Sequence, residues 1–137
     1  MFLRRKPGKR ILNDEKGQAL VEMALVAPIL LLLVFGIVEF GRIFNTYLVV
    51  TNAAREGARA AVVGAVDTSI RDTVENAGSI LDADRLTITI SPDAAYRSRG
   101  TPLQVTVTYP VTIYAPVISN IIGSTYSVNG SATMRME

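Results

Sequence analysis

The chemistry open to this chain is limited first by the side chains that it lacks. The 137 residues include no histidine and no cysteine, and no lysine follows Lys16. Serine and threonine are plentiful, but without a histidine, or a lysine beyond residue 16, nothing obvious activates a hydroxyl as a nucleophile. The same absences exclude disulfides and zinc sites of the usual Cys and His types.

Carboxylates are the remaining candidates for catalysis or metal binding. Glu22 and Glu39 stand seventeen positions apart, at opposite ends of one apolar helix, so they cannot act as an acid–base pair. Asp82, Asp84 and Asp93 lack the spacing of a calcium loop, and a solvated turn is the better interpretation. The chain also lacks a glycine-rich phosphate loop. We therefore expect no enzymatic activity, no metal site and no cofactor.

Glu22 is unusual because it is the only charged residue in a run of twenty, residues 19–38. As a helix the run spans about 30 Å, the thickness of the hydrocarbon core of a bilayer. We therefore predict a single membrane crossing. A helix buried in a soluble domain is the alternative, but a domain this small has little interior to cover a helix that is apolar on all sides. An ionised carboxylate in such a run costs a few kcal/mol unless it finds a partner.

The distribution of charge predicts the orientation of this segment. Residues 1–17 hold six basic and two acidic side chains, whereas the rest of the chain holds eight basic and ten acidic ones. By the positive-inside rule the basic leader stays in the cytoplasm and the C-terminal part is exported. The exported part offers no stripe of Lys and Arg that could neutralise phosphates, so we expect no nucleic-acid binding.

The residues that follow the apolar run argue against removal of the run as a signal peptide. Glu39-Phe40-Gly41-Arg42 contains no small-x-small cleavage site. The sequence therefore predicts three parts, which are a cytoplasmic leader at residues 1–17, a transmembrane segment at residues 18–42 and an exported domain at residues 43–137.

A cut between Gly17 and Gln18 would give Glu22 a role. Gln18 would become the first residue and Glu22 the fifth, in the first turns of a helix whose N-terminal dipole favours an anion. The new α-amine of a neighbouring molecule could then neutralise the carboxylate. The order of basic leader, glycine, four residues, glutamate and apolar helix resembles the processing signature of type IV prepilins and pseudopilins. The resemblance implies cleavage by a prepilin peptidase after Gly17, with Glu22 setting subunit register.

The helix is predicted to continue beyond the membrane to about residue 65, as a stalk, because residues 39–65 contain no proline. Pro28 lies inside the helix and is expected to bend it. Ala53, Gly57 and Ala61 recur at a spacing of four, which gives a face without bulky side chains where another helix or a sheet can come close. Packing within the domain of the same chain is the preferred interpretation of this face.

Two segments of the helix are similar to one family in particular. Residues 21–28, Val-Glu-Met-Ala-Leu-Val-Ala-Pro, and residues 52–61, Asn-Ala-Ala-Arg-Glu-Gly-Ala-Arg-Ala-Ala, resemble the TadE-like pseudopilins of tight-adherence (Flp/Tad) pilus systems. A valine-threonine strand, a tyrosine-proline step and an alanine-threonine-methionine-arginine ending later in the chain are also typical of TadE-like proteins.

The exported region predicts an α+β fold. Residues 67–81 have a helical period, with Ser69 and Asp72 as a capping-box-like start. Apolar residues alternate in three later segments, which predicts a small antiparallel sheet of about three to four strands packed on the helix. These segments are residues 86–91, 103–108 and 132–136.

Two connections in this region are interpreted separately. Residues 92–100, which include Arg97 and Arg99, predict a turn or exposed loop. Residues 117–122 predict either a short amphipathic helix ended by Gly123 or an apolar loop that faces a partner.

The TadE-like resemblance implies a minor pseudopilin that acts in Tad pilus biogenesis and adhesion. Its implied partners are the prepilin peptidase, a sister pseudopilin, the Flp/Tad pilus machinery and membrane lipid, with hetero- or homo-oligomers formed through the N-terminal helix. The implied location is the bacterial cytoplasmic membrane, crossed once, with a cytoplasmic N-terminus and a periplasmic or extracellular C-terminal domain.

Two other interpretations stay open at the level of the sequence. One is an uncut, single-pass membrane-anchored binding module of the cell envelope, which the N-terminus of the mature chain would distinguish. The other is a pseudopilin of a related secretion system, which differs in whether the helix enters a filament.

Overall fold

The computed structural model describes residues 14–137, so the part of the predicted leader before Asp14 lies outside the described residues. The chain divides into two compact units, one ending at Phe35 and the other running Gly36–Glu137. The order of helices and strands confirms the α+β prediction. The elements are α1 (Asp14–Val62), α2 (Asp67–Ala77), β1 (Thr87–Ser91), β2 (Pro102–Thr112), α3 (Pro116–Ile122) and β3 (Thr125–Arg135).

In the first unit, α1 is apolar and uncovered. Every residue from 15 to 35 is exposed except the half-buried Ala27. Within residues 14–137, α1 is the one helix long and apolar enough to cross a membrane, and its most apolar stretch has no buried residue. The start of α1 is therefore a candidate membrane anchor.

The C-terminus of α1 is set by Gly64. This glycine has a φ of 88°, in the left-handed region that favours glycine. The Gly64 N–H donates to the Ala61 carbonyl at 3.1 Å, and the Ala65 N–H donates to the Ala60 carbonyl at 3.3 Å. This is a Schellman motif, which terminates a helix, and it explains why α1 ends at Val62 rather than near residue 65.

α2 is shorter than predicted and has a different start. It ends at Ala77 instead of residue 81, with Gly78 at the C-cap position. After Gly78 the helical i to i−4 bonds give way to turns, in which the Leu81 N–H donates to the Gly78 carbonyl at 2.8 Å. The predicted capping box is wrong. The helix begins before Ser69, and Val66, which has no side-chain cap, occupies the N-cap position.

The sheet has three antiparallel strands in the order β1-β2-β3. Ile88 pairs with Val107, and Val105 pairs with Ala132, so apolar residues of all three strands share one face. Both β2 and β3 are longer than the sequence predicted. β2 continues through Pro110, although proline has no N–H group to donate to a neighbouring strand. Pairing with β1 ends at Thr108, so on that side of β2 no strand requires this hydrogen bond.

The core of the second unit lies between the later turns of α1, helix α2 and the buried face of the sheet. The connection between β1 and β2 contributes an ion pair to its edge. The sequence predicted an exposed loop around Arg97, but only 8% of this side chain is exposed. Arg97 pairs with Asp67 and donates a hydrogen bond to the Pro92 carbonyl at 2.9 Å. The buried apolar residues of the core are Val50, Ala53, Ala54, Ala58, Ala61, Ile70, Val74, Ile88, Ile90, Leu103, Val105, Val107, Val111 and Val128.

Candidate processing and assembly site

The predicted processing residues lie in the first turns of α1 and are accessible. Gly17, Gln18 and Glu22 are all exposed. A Cβ placed on Gly17 would meet no atom within 4 Å. The Gln18 side-chain amide donates to Glu22 Oε1 at 3.2 Å, which shows that these two side chains share a face of the helix. The peptide bond after Gly17 is therefore open to an enzyme, in a turn that glycine makes about 1 kcal/mol less stable than alanine would.

The spacing of Gln18 and Glu22 has a chemical consequence for a cut chain. Cleavage between Gly17 and Gln18 would leave a positively charged α-amine at Gln18, one helical turn before the Glu22 carboxylate. The same cut would make these residues the helix N-terminus, whose unpaired N–H groups favour a nearby anion. The arrangement can therefore hold a carboxylate and an ammonium group together, either within one chain or between neighbours.

The residues predicted to pack helices fall into two environments. Pro28 lies inside α1 and is exposed. Ala53, Gly57 and Ala61 are buried in the core of the second unit. A Cβ on Gly57 would lie 2.5 Å from Val74 Cγ2, so α2 already fills the space beside this face. The small-residue face thus packs inside the chain, and it is not part of the exposed segment that contains Pro28.

Glu39 is the residue whose role the sequence did not predict. It is 5% exposed. Glu39 Oε1 accepts hydrogen bonds from the backbone N–H groups of Tyr114, at 2.7 Å, and Ala115, at 3.0 Å. Glu39 Oε2 accepts a charged hydrogen bond from Arg42 at 2.8 Å. Its position directly after the apolar run, three residues before an arginine, was the available signal for an ion pair.

Arg42 extends this contact to the segment that precedes α3. Its Nη2 donates to the Thr112 carbonyl at 3.3 Å, and its guanidinium lies 4.6 Å from the centroid of the Tyr114 ring. The pair Glu39–Arg42 therefore fixes the connection between β2 and α3 against α1. An open pocket of about 220 Å³ lies beside this contact, lined by Arg42, Thr46, Leu81, Arg85, Tyr109, Val111, Thr112 and Tyr114.

The remaining features of the described residues are potential metal ligands and a groove beside α1. Among residues 14–137, no group of three carboxylate, histidine or cysteine side chains is close enough to hold a metal ion. An open groove of about 330 Å³ runs between α1 and the start of β3, with an apolar aromatic lining. The groove contains no acidic or basic side chain. It is lined by Phe40, Ile43, Phe44, Tyr47, Tyr126, Ser127, Val128 and Asn129.

Comparison with known proteins finds a similarity that covers most of α1. The family model of the TadE-like protein matches residues 17–59. The match begins at Gly17, includes Glu22 and Pro28, and ends inside α1. It confirms the resemblance stated from residues 21–28 and, as far as residue 59, from the second segment. The TadE-like family implies a Tad pilus-related function. No curated protein and no solved structure gives a significant match.

Proposed function

We propose, from the premise that residues 17–59 are a TadE-like segment, that the protein is a minor pseudopilin of a Tad pilus system. It inserts once into the bacterial cytoplasmic membrane, with its N-terminus in the cytoplasm. A prepilin peptidase cuts it between Gly17 and Gln18. The apolar helix then associates with a sister pseudopilin or with further copies, and the exported domain, residues 43–137, meets the pilus machinery.

The observation that carries the proposal is the uncovered apolar start of α1. Residues 15–35 are exposed almost without exception, and the Glu22 carboxylate lies among them. An apolar surface of this kind is stable in water only when lipid or other protein covers it. In a pseudopilin, lipid surrounds the apolar helix before assembly and neighbouring helices surround it afterwards.

The charge of the leader supports this sequence of events. Residues 1–17 carry six basic and two acidic side chains. Moving a single Lys, Arg or Asp to the middle of a bilayer costs about 2.5–3.5 kcal/mol, so an uncut leader holds the helix at its cytoplasmic end. After cleavage the helix begins with one α-amine, and Glu22 of a neighbour can accept that charge. The helix can then shift along its axis into an assembly.

Exchange of Glu22 for glutamine tests the assembly role. Glu22→Gln keeps the size and exposure of the side chain but removes its charge. In a host with its own Tad system we expect normal cleavage and at least a tenfold loss of the protein from complexes cross-linked to Tad components, an effect of about 1.4 kcal/mol or more.

Glu75→Gln is the matched control, because Glu75 is an exposed carboxylate on α2. This variant should be recovered in complexes as the parent chain is. Equal recovery of the Glu22→Gln and Glu75→Gln variants would refute a role of the Glu22 charge in register.

A further inference from the structure

The segment between β2 and β3 combines exposed apolar side chains with an absence of charge. No Asp, Glu, Lys or Arg occurs between Arg99 and Arg135. Within this stretch, α3 exposes Val117, Ile121 and Ile122, and Ile121 is 76% exposed. Single exposed apolar residues are ordinary on protein surfaces. Three of them on a helix of seven residues form a patch that indicates a partner.

Two observations give the position of α3 along α1. A Cβ built on Gly36 would lie 4.0 Å from Ile118 Cδ1. One turn farther along α1, Glu39 accepts N–H hydrogen bonds from Tyr114 and Ala115, the two residues directly before α3. The apolar run ends one residue before Glu39. Helix α3 therefore lies beside the last turn of the apolar run and the first turn that follows it.

We propose that α3 is an interfacial helix, which lies in the surface of the bilayer that α1 crosses and directs Val117, Ile121 and Ile122 toward phospholipid acyl chains. The inference rests on the proposed function only for the membrane crossing. An apolar helix of twenty residues fills a hydrocarbon core of about 30 Å, so the end of the run meets the headgroup layer. α3 is held at that level. Amphipathic helices at this depth bury their apolar face at the boundary between headgroups and acyl chains.

The surroundings of α3 match a lipid surface. Tyr114 is exposed, and the Arg42 guanidinium lies over its ring. Phe40, on α1 one turn after Gly36, is also exposed. Aromatic side chains are enriched where a membrane meets water, and an arginine there can reach the headgroups. Because α3 carries no charge, it can enter the headgroup layer without desolvating an ion. A bilayer crossed by α1 accounts for the position of the patch at the end of the apolar run.

Single labels can test this placement directly, because the native chain contains no cysteine. The full chain with Ile121→Cys is labelled with a small fluorophore and placed, at one copy per disc, in phosphatidylcholine nanodiscs. The discs are made with or without bromine on the acyl chains, which quenches on contact. We expect brominated lipid to remove about half of the emission or more, as for a side chain buried at the acyl boundary. Circular dichroism first verifies that each variant keeps the helix content of the parent.

Val63→Cys provides a matched control. Val63 is apolar and 73% exposed, as Ile121 nearly is, but it follows the last residue of α1. The C-terminus of α1 lies about 36 Å along the helix axis from the end of the apolar run. A label at Val63 should therefore have the same emission in both kinds of disc. Quenching of the Val63 label equal to that of the Ile121 label would overturn the placement.

A third label, at Leu31→Cys, separates failure of this inference from failure of the proposed function. Leu31 is inside the apolar run and is 56% exposed. Quenching at Leu31 and Ile121 together supports the proposal. Quenching at Leu31 with unchanged emission at Ile121 overturns the lipid contact of α3 but leaves the membrane crossing intact. A change in the emission of the Ile121 label that occurs only with several copies per disc also overturns the lipid contact, because a second chain then covers α3. If the Leu31 label is not quenched, α1 does not cross the bilayer and the proposed membrane anchor is wrong.

Discussion

Glu39 connects α1 to a segment that lies more than seventy residues later in the chain. Its Oε1 accepts from the N–H groups of residues 75 and 76 positions away, Tyr114 and Ala115. Those groups precede α3, where a helix start leaves backbone donors without partners inside the helix. Glu39 also binds Arg42, which in turn binds the Thr112 carbonyl. One carboxylate thus positions the whole connection from β2 to α3.

Replacement of Glu39 by alanine should destabilise the second unit. The change removes three hydrogen bonds and leaves the buried Ala115 N–H without its acceptor, so we expect a loss of about 2–3 kcal/mol in the free energy of unfolding. Thermal unfolding of the full chain in detergent micelles, followed by circular dichroism, measures it. Glu75→Ala removes an exposed carboxylate and should change stability by less than about 0.5 kcal/mol. Equal melting temperatures for the two variants would show that Glu39 contributes nothing specific.

Sequence reasoning found Gly17 and Glu22 as candidates but could not find the contacts of Glu39. The first two stand in a local pattern, since a basic leader, a glycine, a glutamate and an apolar run follow one another directly. The acceptor role of Glu39 depends on backbone N–H groups, which every residue except proline has. Only the fold determines which of these groups reaches the carboxylate, so no residue type near Tyr114 or Ala115 predicts the contact.

At the scale of secondary structure, close approaches of backbone and side chain determine how α1 packs. A Cβ on Gly57 would lie 2.5 Å from Val74 Cγ2 and 3.3 Å from Val105 Cγ1. Both distances are too short for a relaxed contact, so the neighbours would have to move. α2 and the sheet approach α1 at this point because the glycine leaves room for them.

A comparison of two glycines in α1 isolates this packing effect. Gly57→Ala and Gly41→Ala gain the same helix propensity, about 1 kcal/mol, because both glycines lie inside the helix. A Cβ on Gly41 meets nothing within 4 Å. We therefore expect the chain with Gly57→Ala to be less stable than the chain with Gly41→Ala by about 1–3 kcal/mol. Unfolding curves of the two chains under the same conditions measure the difference, and coincident curves would contradict the close packing.

The strands show which parts of an element a sequence pattern reveals. Alternation of apolar and polar residues predicted the centre of β2 and the end of β3. It missed the first half of β3, where the buried positions are Val128 and Gly130. Glycine does not count as apolar in such a pattern. Here it is required because a Cβ on Gly130 would lie 2.6 Å from the Thr51 backbone nitrogen of α1.

At the scale of the whole molecule, charge and exposure are distributed unevenly along the chain. Six of the 14 basic residues precede residue 18, an apolar run follows, and residues 100–134 contain no charge. The apolar run and the periodicity of the later segments predicted a long apolar helix joined to an α+β domain, and the structure confirms the α+β class. The surface that the uncharged segment forms at the end of the apolar run could not be predicted, because it requires the position of α3 against α1.

The cleavage of the bond between Gly17 and Gln18 tests the pseudopilin proposal most directly. The protein is isolated from membranes of a host that has its own prepilin peptidase, digested with trypsin, and analysed by mass spectrometry for its N-terminal peptide. Trypsin cuts an intact chain after Lys16 and gives a peptide that starts at Gly17. We predict a peptide that starts at Gln18, in its free or cyclised form.

Two glycine variants complete this measurement. Gly17→Ala should abolish the Gln18 peptide, whereas Gly41→Ala should leave it unchanged. Neither added Cβ has an atom within 4 Å, so a difference between the variants reports recognition by the peptidase and not a change of fold. A parent chain that keeps its leader intact in this host would contradict the proposal and favour an uncut, membrane-anchored binding module.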